Sequence, residues 1–252
     1  MLLAIDVGNT NMVFGLFQGE TLKAKFRLST QKICTADEIG LTVAQFFLHF
    51  GFALEEIEAA VVGSVVPQVM YTLRHALNKY IQKPLYIVRE NLPIALESVC
   101  QEPLGSDRAI TGLAAMRMYG KPVIVIDFGT ATTFDAFSEK GVYLGGLICP
   151  GISISMEALF AKAAKLPRIE IKKPRAVIGI NTVEQMQAGA VYGFVGSVEG
   201  VVELMKRDME NGDIPVAATG GLARLIAEHS PAITHVDENL TLHGLRMIYE
   251  ER

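Results

Sequence analysis

Cysteine is scarce: Cys34, Cys100 and Cys149 are the only three in 252 residues. None forms a C-x-x-C pair, and an odd count builds no disulfide framework. A stapled secreted miniprotein is therefore excluded, and three ordinary small side chains in a reducing compartment are expected. The five histidines, His49, His75, His229, His235 and His243, include no H-E-x-x-H spacing that would put two metal ligands on one helix face. An excess of basic charge is also missing. With 23 Lys and Arg against 27 Asp and Glu, the net charge is −4, without the basic footprint of a general nucleic-acid binder. No apolar run approaches the ~18–20 residues of a membrane-spanning helix. The start, MLLAIDVGNT, has neither the basic n-region nor the cleavage site of a secretory signal. A cytoplasmic protein with no membrane or nucleic-acid partner is the expectation.

Common nucleotide and hydrolase signatures are absent too. There is no G-x-x-x-x-G-K-[ST], no strand-linked G-x-G-x-x-G and no G-x-S-x-G elbow. Asp127-Phe128-Gly129 spells a kinase DFG, but neither an H-R-D loop nor a V-A-I-K strand precedes it, so a protein kinase is excluded.

What the chain does have is apolar residue: half of it is hydrophobic and only 20% is charged, enough to build a sizeable core in one large or two small domains. Its pattern alternates strands and helices. Leu2 to Ile5 reads as a strand, Gly8 as part of a tight turn, and Val13 to Leu16 as an antiparallel return. Thr35 and Glu38 form a capping box before a helix whose apolar residues, Ile39 to Phe50, recur at helical spacing and end near Gly51. Ala59–Val66, a helix over 68–82 and Leu85–Val88 continue the alternation. Helices are also expected over 107–119, over 153–164 and from Thr182 to about Met209. The basic run Lys165–Arg175 reads as a solvated loop. In the long helix, Gly189, Gly193, Gly196, Ser197 and Gly200 line one side, which suits tight packing or a dimer seam.

The most informative feature is an internal repeat. Ile5-Asp6-Val7-Gly8 and its hydrophobic continuation to Phe17 align without gaps on Ile126-Asp127-Phe128-Gly129 and its continuation to Phe137, starting 121 positions later. Two similar halves, 1–120 and 121–252, are expected, with the boundary near Gly120. One Asp-x-Gly after a strand is a common turn; two, each opening a half rich in Thr and Asn, favour a duplicated phosphate-handling turn. A polyanionic phosphoryl group calls for backbone N–H groups, hydroxyls and a metal held by carboxylate. Gly8 and Gly129 permit close backbone approach, while Asn9, Thr10, Asn11, Thr130, Thr132 and Thr133 offer donors. Asp6 or Asp127 can hold a cation or its water shell. Thr219-Gly220-Gly221 ends an apolar strand, and either a flat support for a nucleoside or a plain strand-to-helix turn accounts for it. Gly105-Ser106-Asp107-Arg108 precedes a helix with Ser106 as its expected N-cap. Asp107 in that first turn is either good helix chemistry or a proton acceptor for a hydroxyl, with Arg108 placed for a substrate carboxylate.

Taken in order, DVGNT at 6–10, SVVP at 64–67, G-x-DR at 105–108, DFGTATT at 127–133, GG-x-I-x-PG at 145–151, KLP and IG-x-NT across 165–182 and TGG at 219–221 resemble the type III pantothenate kinases over essentially the whole chain. The resemblance implies a duplicated actin-like (ribonuclease H-like) α/β ATPase fold, two similar domains around a cleft. It implies ATP-dependent phosphorylation of pantothenate, the first step of coenzyme A synthesis, by a homodimer. ATP would be bound by Asp6, Val7, Gly8, Asn9, Thr10, Asn11, Met12, Val13 and Thr130. Pantothenate would meet Gly105, Ser106, Asp107, Arg108 and Thr182, with Asp107 as proton acceptor. Asp127 would bind a monovalent cation, K⁺ or NH₄⁺, and Asp6 would reach Mg²⁺ through water.

The pattern departs from the family at one segment: Cys100 stands where a pantothenate-enclosing Tyr is usual, and the stretch after Pro103 is about two residues short. Ser106 replaces the usual Ala, and Thr111 an Asn. Another kinase or phosphatase of the superfamily, acting on a different hydroxylated metabolite, and a non-enzymatic regulatory protein are the alternatives.

Overall fold

Every second residue of the first strand, β1 (Leu2–Val7), faces one apolar layer, and the pattern repeats along its neighbours. The computed structural model describes residues 1–30 and 35–252; Cys34 lies outside them. In chain order the further elements of the first half are β2 (Asn11–Gln18), β3 (Thr21–Ser29), α1 (Ala36–Phe50), β4 (Ala59–Ser64), α2 (Pro67–Tyr80), β5 (Leu85–Ile87) and α3 (Ser106–Tyr119). Then come β6 (Val123–Phe128), β7 (Ala131–Phe137), β8 (Tyr143–Pro150), α4 (Ile152–Lys162), α5 (Thr182–Asp208), β9 (Val216–Gly220), α6 (Ala223–Ala227), β10 (His235–Val236) and α7 (Leu240–Glu250).

The strands form two five-stranded sheets, β3-β2-β1-β4-β5 and β10-β9-β6-β7-β8. In each, a meander of three antiparallel strands is extended by two parallel ones, the latter reached through helices. Read from its outer antiparallel edge, the second sheet repeats the order of the first, so the duplication holds at the level of topology. The ungapped alignment does not. Ile5 pairs with Phe14 and Leu2 with Phe17, whereas Ile126 pairs with Phe134 and Val123 with Phe137. The first strands correspond at 121 positions, the second strands at 120, because the loop Gly8–Thr10 shrinks to Gly129–Thr130. A hairpin register is set by its turn and by which residues must face the core, and the four buried phenylalanines at equivalent places keep that register across the deletion.

Two compact units result: Met1–Ala95 with Pro103–Ala114 and Thr241–Arg252, and Leu96–Glu102 with Ala115–Leu240. The chain thus visits the second unit over Leu96–Glu102, crosses to it again inside α3 and returns at α7, where a single division near Gly120 was expected. In the first unit, one sheet face packs on α1 and α2 through Leu3, Ile5, Phe14, Val43 and Leu73. The other face packs on α3 and α7 through Ala4, Phe17, Ile110, Leu242 and Leu245. Each fully buried Leu, Ile or Phe contributes ~1.5–3 kcal/mol. α1 begins with the expected capping box of Thr35 and Glu38 and ends at Gly51, φ 78°. On α2 the Lys79 ammonium and the Tyr80 hydroxyl bond Asp37 of α1, both at 2.8 Å, and hold its carboxyl below the usual range.

The second unit buries Ile124, Phe134, Met186, Val191, Val198 and Ala218 in one cluster. The basic run is more than a solvated loop: Leu166, Ile169 and Ile171 are half-buried against that cluster, while Arg168 and Lys172 face out. α5 has the length and hydropathy of a membrane span, contrary to the expectation that no segment would, with 39% of its apolar window buried in this unit. One face supplies core residues and the other carries exposed glycines.

Candidate active site

At the C-terminal edge of the first sheet, Asp6 lies beside Gly63 and Val7 beside Ser64, since β1 and β4 run parallel in that register. The turn leaving β1 is closed by the Gly8 N–H donating to the Asn11 carbonyl at 3.0 Å. Asn9, Thr10 and Asn11 are exposed there. Val7 and Met12, by contrast, are core residues at 0% and 2% exposure, so of the expected ATP-binding run they have only main-chain atoms to offer.

α3 starts at the same edge. The Ser106 hydroxyl donates to the Ser64 carbonyl at 2.7 Å, so Ser106 is not the expected N-cap: it is the first helical residue, and its side chain ties the helix to β4. Two close approaches seat α3. A Cβ on Gly63 would lie 2.6 Å from Ile110 Cδ1, and one on Gly244 of α7 would lie 2.4 Å from the Ile110 carbonyl oxygen. Thr111, in the position where the resemblance leads one to expect Asn, donates its hydroxyl to the Asp107 carbonyl at 2.8 Å and contacts Thr241 of α7 at 3.1 Å.

This framework holds Asp107 half-buried in the first turn. Its Oδ1 accepts from the Arg108 N–H at 2.8 Å and lies so close over Gly105 that a Cβ there would come within 2.7 Å of it. Asp6 and Asp107 therefore belong to one edge of one sheet. Ser64 was legible only as part of SVVP, and neither the close approach at Gly63 nor Thr241 had a sequence signal.

The second unit repeats the turn with different support. Asp127 lies opposite Thr133 on β7 and Thr219 on β9. Gly129 and Gly220 form a cradle about its carboxylate: a Cβ on Gly220 would lie 2.6 Å from Oδ1, and one on Gly129 3.6 Å away. Gly151, after Pro150, backs the turn, donating its N–H to the Thr130 carbonyl at 3.2 Å. Gly220 thus serves a close approach to the end of β6. Among the described residues no group of three or more His, Cys, Asp and Glu could hold a metal. The donor set suits a lone carboxylate reaching a cation held mostly by other oxygens, as Mg²⁺ on phosphates is. Thr182 opens α5, after Asn181, whose Oδ1 caps the helix by accepting from the Glu184 N–H at 3.0 Å.

The chain fits the sequence pattern of type III pantothenate kinase over residues 2–204, and a type III pantothenate kinase of Moorella thermoacetica is 50% identical over 99% of both chains. The chain belongs to the type III pantothenate kinase family. Membership accounts for the α/β fold and for the paired turns. Solved structures share that fold at lower identity. One from Campylobacter jejuni, described as a Baf family transcriptional activator, is 21% identical with a TM-score of 0.60 over 99% of this chain and 98% of that one. One described as a 2-dehydro-3-deoxygalactonokinase from Sinorhizobium meliloti is 10% identical with a TM-score of 0.61 over 100% and 96%. Those likenesses show the actin-like fold alone.

In this family member, Cys100 sits at the edge of the second sheet. The segment before it pairs with Tyr143, Val99 N–H donating to the Tyr143 carbonyl at 3.1 Å and Tyr143 N–H to the Glu97 carbonyl at 2.8 Å. Cys100 Sγ is then 3.8 Å from where Gly145 would carry a Cβ. The thiol is exposed.

Proposed function

We propose that this protein transfers the γ-phosphoryl group of ATP to the primary hydroxyl of pantothenate, giving 4′-phosphopantothenate and ADP for coenzyme A synthesis, in the cytoplasm. Besides family membership, the observation that carries this reading is the Asp107 carboxylate, held in the first turn of a helix tied to β4 at the sheet edge where Asp6 also lies. A hydroxyl attacking phosphorus in line forms one O–P bond as the bond to the ADP oxygen breaks, and its proton must leave. Asp107 takes that proton. Arg108 pairs the carboxylate of pantothenate, and Gly105, Ser106 and Thr182 complete its contacts. The run Asp6 to Val13, with Thr130, binds ATP through backbone N–H groups and hydroxyls. Asp6 would hold Mg²⁺ through water, and the metal would supply positive charge to neutralise the phosphates. Asp127, in its glycine cradle, would hold K⁺ or NH₄⁺, which would supply further positive charge for the reaction.

The test is a coupled ADP-release assay. Turnover is expected to need pantothenate and to fall several-fold when Na⁺ replaces K⁺. Robust turnover with a sugar and none with pantothenate overturns the substrate.

The protein works as a homodimer in this reading. Gly189, Gly193, Gly196 and Gly200 face away from the unit, with nothing within 4 Å of a Cβ placed there. Gly189 and Gly193 line a groove of about 520 Å³ together with Val177 and Ile178, the latter 84% exposed. A second copy packed on this face would remove those chains from water. Ile178→Asp is expected to give a monomer by light scattering at concentrations where the parent is dimeric; a dimer retained by the variant moves the seam elsewhere.

A further inference from the structure

Between Glu102 and α3 the chain forms no regular element, so its backbone polar groups need partners from outside the segment. The Leu104 carbonyl has one in the Arg89 guanidinium, whose Nη1 donates to it. That bond is charge-assisted, unlike the Ser106 and Thr111 tethers further along.

Arg89 occupies an unusual place. Its φ is +69°, in the left-handed region that Gly or Asn enters with less cost than a long side chain. The turn enforces this from several sides. The Arg89 N–H donates to the Leu92 carbonyl at 2.7 Å, the Glu90 N–H to the Ile87 carbonyl at 3.0 Å, and the Ile87 N–H to Asn91 Oδ1 at 2.6 Å. Strain of this kind persists where the surroundings over-determine it, and it collects around functional sites. Glycine would ease the backbone here and lose the contact to Leu104.

The contact matters because of what lies next to it. The Leu104 carbonyl belongs to the peptide that leads into Gly105, and Asp107 Oδ1 lies against Gly105, 2.7 Å from its Cβ position. A shift of that peptide displaces the surface on which the carboxylate rests. We infer that Arg89 is a positioning residue for Asp107: its guanidinium fixes the Leu104–Gly105 peptide and so the direction from which the carboxylate meets the hydroxyl. The inference rests on the reading of Asp107 as proton acceptor given above.

Arg89→Gly, assayed with ATP and pantothenate, is expected to lower kcat about 10- to 100-fold, the scale on which a small misplacement of a reacting group acts, with the KM for ATP and the thermal midpoint little changed. Arg89→Lys, which keeps a charged donor, should recover much of the rate. Arg74→Ala serves as control, because Arg74 pairs with Glu90 on the same turn whereas the bond to Leu104 comes from Arg89; its kcat should equal that of the parent. Parental kcat in Arg89→Gly, or an equal loss in Arg74→Ala, overturns the inference. Should Arg89→Gly not fold, Arg89→Gln carries the same two outcomes. Asp107→Asn run alongside separates the failures: an active Asp107→Asn removes the reading beneath, whereas an inactive one beside a fully active Arg89→Gly removes only the role of Arg89.

Discussion

Asp107→Asn is expected to lower kcat by about 10²–10⁴-fold, the usual contribution of a positioned general base, with the KM for ATP and the folded structure preserved. The asparagine side chain has the same shape, and its Oδ1 can keep the bond now accepted from the Arg108 N–H at 2.8 Å. What it loses is the ability to take a proton. The bonds that seat α3 come from other atoms: the Ser106 hydroxyl on Ser64, and the Thr111 hydroxyl on the Asp107 main chain. Neither involves the carboxylate, so helix and sheet should remain in register. Steady-state rates with ATP and pantothenate, together with a thermal melt of each protein, check this. A folded variant turning over at the parental rate would reduce Asp107 to a first-turn carboxylate that merely suits the helix dipole.

Local chemistry was legible wherever a short stretch specifies itself. Thr35 and Glu38 announced the capping box because both partners lie within one turn. The two Asp-x-Gly turns were readable because a strand end, a glycine and hydroxyl residues are neighbours in sequence. Contacts between distant segments were not. Ser106 suited an N-cap on local grounds, yet its hydroxyl found the Ser64 carbonyl, 42 residues away, a competition that only the assembled sheet edge decides. α7 went unannounced for a related reason. It is a short amphipathic helix after a loop, and its place on the first sheet through Leu242 and Leu245 depends on the chain returning to a unit it left inside α3. Likewise, the repeat's endpoints, Phe17 and Phe137, already stand one position closer than Ile5 and Ile126, but only the pairing places that deletion in the second turn, because Phe14 and Phe134 fill equivalent places in spite of it.

Gly220 and Gly221 make the same point in adjacent residues, and replacing each by alanine should give opposite results. Gly220 has φ +94°, and a Cβ there would lie 2.6 Å from Asp127 Oδ1 and 2.6 Å from both the carbonyl carbon and the oxygen of Phe128. Backbone strain and collision with a paired strand add, since β6 and β9 are bonded at this position. The rigid neighbour cannot yield as the end of a flexible side chain would. Gly220→Ala is expected to destabilise the protein by roughly 2–4 kcal/mol, lowering the thermal midpoint by roughly 5–15 °C. It should also weaken any response of turnover to K⁺ over Na⁺, because the carboxylate that would hold the cation is the group displaced. Gly221 has no positive φ, and nothing lies within 4 Å of its added Cβ, so Gly221→Ala should change stability by no more than about 0.5 kcal/mol and leave the cation response intact. Melts and rates of the two variants in K⁺ and in Na⁺ test the pair. If Gly220→Ala melts with the parent, the close packing of β9 on Asp127 is wrong. If it melts early but keeps its full K⁺ response, the packing stands and the cation belongs to another group.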